Sequence, residues 1–345
     1  MLEYWNETWT RDKKYRQCER IRFTEVGARQ HYRAKPLAFT LSSTGEGAPV
    51  LPQTPIVKRL MLRSMWSRRI GFPSLGKLLR ESFVALEWLR YETAGKFLPE
   101  HHELIRCGFQ NHLLASLPTS LTVLLLNDCR RLQRDTVEKI NTTDLAVHST
   151  RRLSRSLAQA CRQFSEFSPP WHIDALYFLH NLKAAPQLQR DRCRLQLLSI
   201  NSAVLRPDLP EEIWVDFFVC AAKAARTLPQ LRSIELWHTG RGFGYIFQYT
   251  LENGRATIIW SSSGLDIWQF QEVREAWSRV LPTGCPLDVD RGFFTGEIRT
   301  DTESVAKRFF WRNLGLPQLC RDPITAAEFE AEALASRQWS QHGTA

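Results

Sequence analysis

The sequence predicts an α/β fold with a mostly parallel sheet, and three observations carry that prediction. A strand-like pattern, apolar-x-x-apolar-x-apolar, recurs along the 345 residues. Amphipathic helical stripes fall between its copies. A hairpin signal follows the last copy.

The copies are Cys18-x-x-Ile21-x-Phe23, Val57-x-x-Leu60-x-Leu62, Phe83-x-x-Leu86-x-Trp88, Leu121-x-x-Leu124-x-Leu126, Leu195-x-x-Leu198-x-Ile200 and Leu231-x-x-Ile234-x-Leu236. A weaker one stands at Phe164-x-x-Phe167. The last two anchors of each copy lie two residues apart, so they point to one face of a strand. The first anchors the turn into it. Leu121 to Cys129 completes the full leucine-rich-repeat signature, L-x-x-L-x-L-x-x-C. First anchors are 39, 26, 38, 74 and 36 residues apart. Regular repeats of this class run about 20–29 residues, so these units are long, with room for a helix in most crossovers. The expected architecture is an irregular, leucine-rich-repeat-like solenoid with a curved, mostly parallel sheet. Stacking such units buries a continuous apolar ladder.

The helices follow from periodicity. Arg151–Phe164 aligns Leu153, Leu157, Cys161 and Phe164. Glu211–Arg226 aligns Ile213, Phe217, Cys220, Ala221 and Ala224, and Trp268–Leu281 aligns Phe270, Val273, Trp277 and Val280. Beyond the Leu231 strand, Tyr245–Leu251 and Arg255–Ser261 flank Asn253-Gly254, the strongest short hairpin signal. A C-terminal antiparallel hairpin is expected there, covering the open edge of the sheet as a solenoid cap. Residues 1–15 read as an extension, 16–320 as one domain with a mobile loop over 40–55, and 321–345 as a C-terminal helix, opened by Asp322-Pro323, with a frayed tail.

Composition argues against a wholly disordered chain, a collagen, a disulfide miniprotein and a multispanning membrane protein: 43% of residues are apolar and 24% charged. The polar, acidic start lacks a signal sequence. The eight cysteines form no C-x-x-C pair and mostly sit in apolar patterns, as small buried hydrophobes do in a reducing compartment. An intracellular protein of cytoplasm or nucleus is therefore expected, with no membrane partner. The net charge of +10 is concentrated: residues 1–100 hold 18 Lys+Arg against 10 Asp+Glu. The cluster Lys58–Arg69 interleaves with Met61, Leu62, Met65 and Trp66. A basic strip with a nearby aromatic suits phosphates, nucleic acid or an acidic peptide, although charge runs usually need no partner.

Three motifs invite a catalytic or binding role and fall short of it. Gly240-x-Gly242-x-Gly244 places its third glycine one residue early for a dinucleotide fingerprint and is followed by a strand-like run, so a turn is favoured. His101-His102-Glu103 lacks the second histidine of a zincin, because Arg106 stands four residues after His102. Leu209-Pro210-Glu211-Glu212-Ile213 looks like an F-box opening, but a strand arrives after one helix, so it reads as a crossover. No catalytic residue, metal site or cofactor is expected from these patterns.

Several segments carry a resemblance: Pro55–Leu60, Leu78–Phe83, Leu86–Glu92, Leu117–Leu121, Arg152–Ala158 and Leu228–Leu231. In this order they resemble a family of filamentous-fungal proteins that often combine an F-box-like start with degenerate leucine-rich-repeat-like segments. The resemblance covers about residues 15–335. It implies the fold, and in members with an F-box a role in presenting substrates to a ubiquitin ligase. Here only 17 residues precede the first strand match, too few for an F-box, so no adaptor-binding module is expected. The predicted function is a non-enzymatic interaction scaffold with a protein partner. Its candidate surface comprises the positions between and just after the anchors: Arg22, Arg63, Glu87, Asn127, Ser199, Asn201, Glu235 and Trp237. Nucleic-acid or phosphate binding by the basic N-terminal third is a second reading, and a hydrolase whose groups meet only in space is a third.

Overall fold

The structure is a computed structural model that describes residues 51–62, 70–93, 106–128, 144–170, 173–184, 186, 192–240, 243–282, 284–293 and 313–320. Nine strands form one sheet whose spatial order is the order of the chain. They are β1 (Arg59–Leu62), β2 (Trp88–Thr93), β3 (Val123–Asp128), β4 (Glu166–Ser168), β5 (Leu197–Asn201), β6 (Ser233–Gly240), β7 (Phe243–Glu252), β8 (Arg255–Ser262) and β9 (Leu287–Phe293). The first six pair in parallel. β7 runs antiparallel to both β6 and β8, and β9 is again parallel to β8. The fold is therefore mixed α/β with a mostly parallel sheet. The copy at Cys18 lies outside the described residues, as does the helix expected after Asp322.

Parallel neighbours require a crossover. Helices supply most of them: α1 (Phe72–Lys77), α2 (Asp144–Ala160), α3 (Ala175–Lys183), α4 (Glu211–Ala225) and α5 (Gln271–Ser278). The stripe of α2 buries Leu153 and Leu157, and a following 3-10 turn buries Cys161. Asp174 caps α3 by accepting the Tyr177 N–H at 2.9 Å, which satisfies one of the orphan donors of its first turn. Leu209–Ile213 does open a crossover helix, α4, between β5 and β6. It buries Trp214, Phe217, Phe218 and Cys220. These helices share one continuous core with Leu89, Leu124, Phe167, Leu198, Ile234 and Phe247. They thus cover a single face of the sheet, and that face is predominantly apolar.

Three expectations need correction. The β2 pattern was placed three residues early. Register pairs Leu89 with Leu124 and Tyr91 with Leu126, so the aligned copy is Leu86-x-x-Leu89-x-Tyr91. Trp88 consequently points to the other face, where it packs with Val123 and Leu125. The error arises because Phe83, Leu86 and Leu89 repeat every three residues, and only pairing with β3 selects the phase. The hairpin itself stands where expected, but it does not form the edge. The chain turns through α5 and adds β9 beyond it. Val289 of β9 is left 40% exposed. The Trp268–Leu281 helix is also shorter than its periodicity, because Asp266 accepts the Trp268 N–H at 3.0 Å and holds a separate 3-10 turn at Ile267–Gln269.

The hairpin turn shows why the Asn-Gly signal works. Asn253 and Gly254 have φ of 50° and 72°, the left-handed pair that a two-residue turn between twisted strands demands. Gly254→Val should lower stability by about 1–2 kcal/mol, read by thermal denaturation, because a β-branched residue is strained at positive φ. Gly240 closes β6 and Gly244 lies within β7, so the glycine-rich run serves a strand connection and opens no helix.

Candidate functional site

The opposite face of the sheet has a different composition. Alternation turns Arg90, Ser199, Glu235 and Gln248 toward it, among apolar Val123, Leu125, Trp237 and Ile246. Across this face lies the segment Asn313–Cys320, which we call the strap. Its last four residues, Pro317–Cys320, form a short helix, α6. Leu316 and Leu319 pack on Val123 and Leu125, while Leu314 and Cys320 pack on Trp237 and Ile246.

Polar groups set the strap's position. The side chain of Glu235 is buried in mid-sheet. Its Oε2 accepts the backbone N–H groups of Gly315 at 2.6 Å and Leu316 at 3.1 Å. Gln248 Nε2 donates to the same oxygen at 3.1 Å and to the Asn313 carbonyl at 3.2 Å. Ser199 Oγ donates to Oε1 at 2.9 Å and receives the Trp237 indole N–H at 3.1 Å. Cys320 Sγ lies 2.9 Å from that hydroxyl. Further along, the guanidinium of Arg90 donates to the Gln318 carbonyl, lies over the Trp88 ring, and pairs with the buried Glu92 at 3.8 Å. A carboxylate thus reads two main-chain donors near the start of the strap, and a guanidinium reads a main-chain acceptor near its end. This fixes the strap's direction as well as its place.

Gly315 makes a close approach to Gln248. A Cβ there would meet the Gln248 side-chain amide at 2.9 Å and push it away from both Glu235 and Asn313. Burial raises the Glu235 pKa, although the hydrogen bonds from Leu316, Ser199, Gly315 and Gln248 work the other way. The Cys320 thiol is raised well above its ordinary range by burial and then by the neighbouring carboxylate, so it is held as a thiol. Ser199 gives its hydrogen bond to a carboxylate already engaged with main chain. The cluster is arranged to hold a backbone segment.

The sequence-derived surface maps onto this geometry unevenly. Ser199, Glu235 and Trp237 come together, but beneath the strap, so the face expected to be open is occupied there by the chain itself. Asn127 and Asn201 are buried near the ends of β3 and β5. Asn201 Oδ1 lies 3.2 Å from His238 Nδ1, and among the described residues neither polar atom of the Asn127 amide has a hydrogen-bond partner. Glu87 stands apart, just before β2, half-exposed and bonded to Lys58 Nζ at 2.8 Å. Arg22 and Arg63 lie outside the described residues, as do most of the basic N-terminal third and His101–Glu103. Sequence reasoning missed Arg90, Gln248, Gly315 and Cys320. The signal was weak: apolar Leu314, Leu316 and Leu319 in a stretch broken by glycine and proline.

Elsewhere, a shallow cleft between the C-terminal ends of α3 and α4 is lined by Lys183, Lys223, Arg226 and Thr227. Among the described residues, no group of His, Cys, Asp and Glu is placed to hold a metal ion, and no helix is long and apolar enough to cross a membrane. No curated protein and no solved structure matches the chain. A family model matches residues 116–317, from just before β3 into the strap. The chain therefore belongs to a family of unknown function (DUF6546).

Proposed function

We propose that the chain is a non-enzymatic protein-interaction scaffold whose working surface is the strap-side face of the sheet. The observation that carries this reading is the contrast between the two faces. The helix-side face is dominated by buried apolar residues and needs permanent cover. The strap-side face places Arg90, Ser199, Glu235 and Gln248 among its apolar residues, a mixture that tolerates water as well as a docked chain. Interfaces of the same kind combine apolar anchors with polar groups that fix orientation. The resemblance to proteins with degenerate leucine-rich repeats supports the same reading, since stacked repeats use the open side of their sheet for binding.

The test compares affinity capture with the full-length chain, with Gly315→Leu, and with Gly315→Leu combined with Glu235→Lys. Gly315→Leu unseats the strap by clash with Gln248 and leaves the sheet intact, so captured partners should increase. The second substitution alters the exposed face and should remove them. An identical set of captured proteins from all three chains would rule this surface out.

A further inference from the structure

Resting on that reading, we propose that the strap is a resident tenant of a main-chain-reading groove. The partner it excludes is a protein segment of the same chemistry: apolar, glycine, apolar, proline, a polar residue, then an apolar one. The strap is itself the template. Its direction and register are set by contacts to backbone atoms, namely Glu235 to the amides of Gly315 and Leu316 and Arg90 to the carbonyl of Gln318. Such contacts are available to any chain that can approach closely enough. Glycine at the first amide is the entry condition, because a side chain there would strike Gln248. Selectivity comes from the two apolar beds. One, of Trp237 and Ile246, receives Leu314, and the other, of Val123 and Leu125, receives Leu316 and Leu319.

The character of Glu235 supports displacement. A carboxylate buried in mid-sheet is costly unless its oxygens are bonded. With the strap seated, main chain satisfies them. Once the strap lifts from Glu235, water can reach those oxygens. The groove therefore has two tolerable states, and an incoming segment that offers the same donors replaces the strap without leaving the charge stranded at the end. An entirely apolar groove would have only the covered state. The tenant is tethered, so a competitor meets it at a high local concentration, and the free groove should bind a segment far more tightly than the occupied one.

The probe is the octapeptide Asn-Leu-Gly-Leu-Pro-Gln-Leu-Cys, fluorescently labelled and titrated into purified full-length chains. Wild type should bind it weakly, and Gly315→Leu should bind it more tightly by on the order of 100-fold. Binding should vanish when Glu235→Ala is added, or when the peptide's glycine is replaced by leucine. Circular dichroism establishes that each variant is folded. Wild type supplies a readout that needs no variant. Excess peptide should speed amide hydrogen exchange at Gly315 and Leu316, because the peptide takes their place on Glu235.

No binding to folded Gly315→Leu, with no change of exchange in wild type, would overturn the proposal. So would binding indifferent to Glu235. Strap exchange between two copies, seen as a dimer by light scattering without peptide, would overturn the commitment to a separate partner. If Gly315→Leu captures proteins but not the peptide, this chemistry is wrong and the scaffold reading stands. If it captures neither, both fall.

Discussion

Glu235→Ala should lower the unfolding free energy by about 3 kcal/mol, since buried donors left without an acceptor cost about 1–3 kcal/mol each. The Gly315 and Leu316 amides and the Ser199 hydroxyl lose their acceptor in mid-sheet, while Gln248 keeps the Asn313 carbonyl. The loss is capped by release of the strap, which returns those amides to water, so the effect should stay below the sum of the individual bonds. Denaturant titration measures it. Combining Glu235→Ala with Gly315→Leu should cost little more than either alone, because both act by unseating the same segment.

The variant Glu235→Gln is the informative companion. Burial raises the carboxyl pKa above its ordinary value. A group raised in the folded state contributes stability that is fully present below its unfolded pKa and is lost as pH rises through the folded one. Wild-type stability should therefore decline across that upper range. Glu235→Gln, neutral at every pH, should flatten the slope. A slope unchanged by the substitution would assign the pH dependence to another group.

The second large effect lies on the helix-side face. Trp260→Ala should cost about 4 kcal/mol, in the range for deleting a fully buried aromatic. Trp260 stands edge-on to Phe218 at 5.6 Å, stacks on Tyr245 at 6.0 Å and approaches Trp214 at 6.4 Å, so it joins α4 to β7 and β8. Its indole N–H also donates to the Leu265 carbonyl at 2.9 Å. Trp277→Phe is the control. Among the described residues that indole N–H has no hydrogen-bond partner, so packing is what changes and the cost should stay below about 1.5 kcal/mol. Equal losses in the two variants would contradict this account.

What the sequence makes legible follows from how local each signal is. Leu124 with Leu126, Leu198 with Ile200 and Ile234 with Leu236 declare strands, because alternation is written in adjacent residues. Asn253-Gly254 declares its turn for the same reason. The phase of β2 was not local, since three apolar residues at equal spacing fit two registers until β3 selects one. β9 was missed because its apolar pair, Leu287 and Val289, is short, partly exposed and followed by Asp290, Arg291 and Gly292, so it carries no third anchor of the recurring pattern. The site was half legible. Strand alternation places Ser199, Glu235 and Trp237 on one face, but nothing local marks what covers them. Glu235 meets Gly315 across 80 residues, and Arg90 meets Gln318 across 228, and no spacing rule reaches that far.

The sheet order carries one more consequence, for the timing of assembly. Every strand pairs only with its neighbours in sequence, so each can add to a growing sheet as soon as it is synthesised. The strap is the exception. It touches strands from β2 to β7 and cannot exist until Cys320 has been made. Until then the strap does not cover this face, because it is the last described segment to be synthesised. On the proposed reading, a partner that reaches the nascent chain meets the groove before its tenant does.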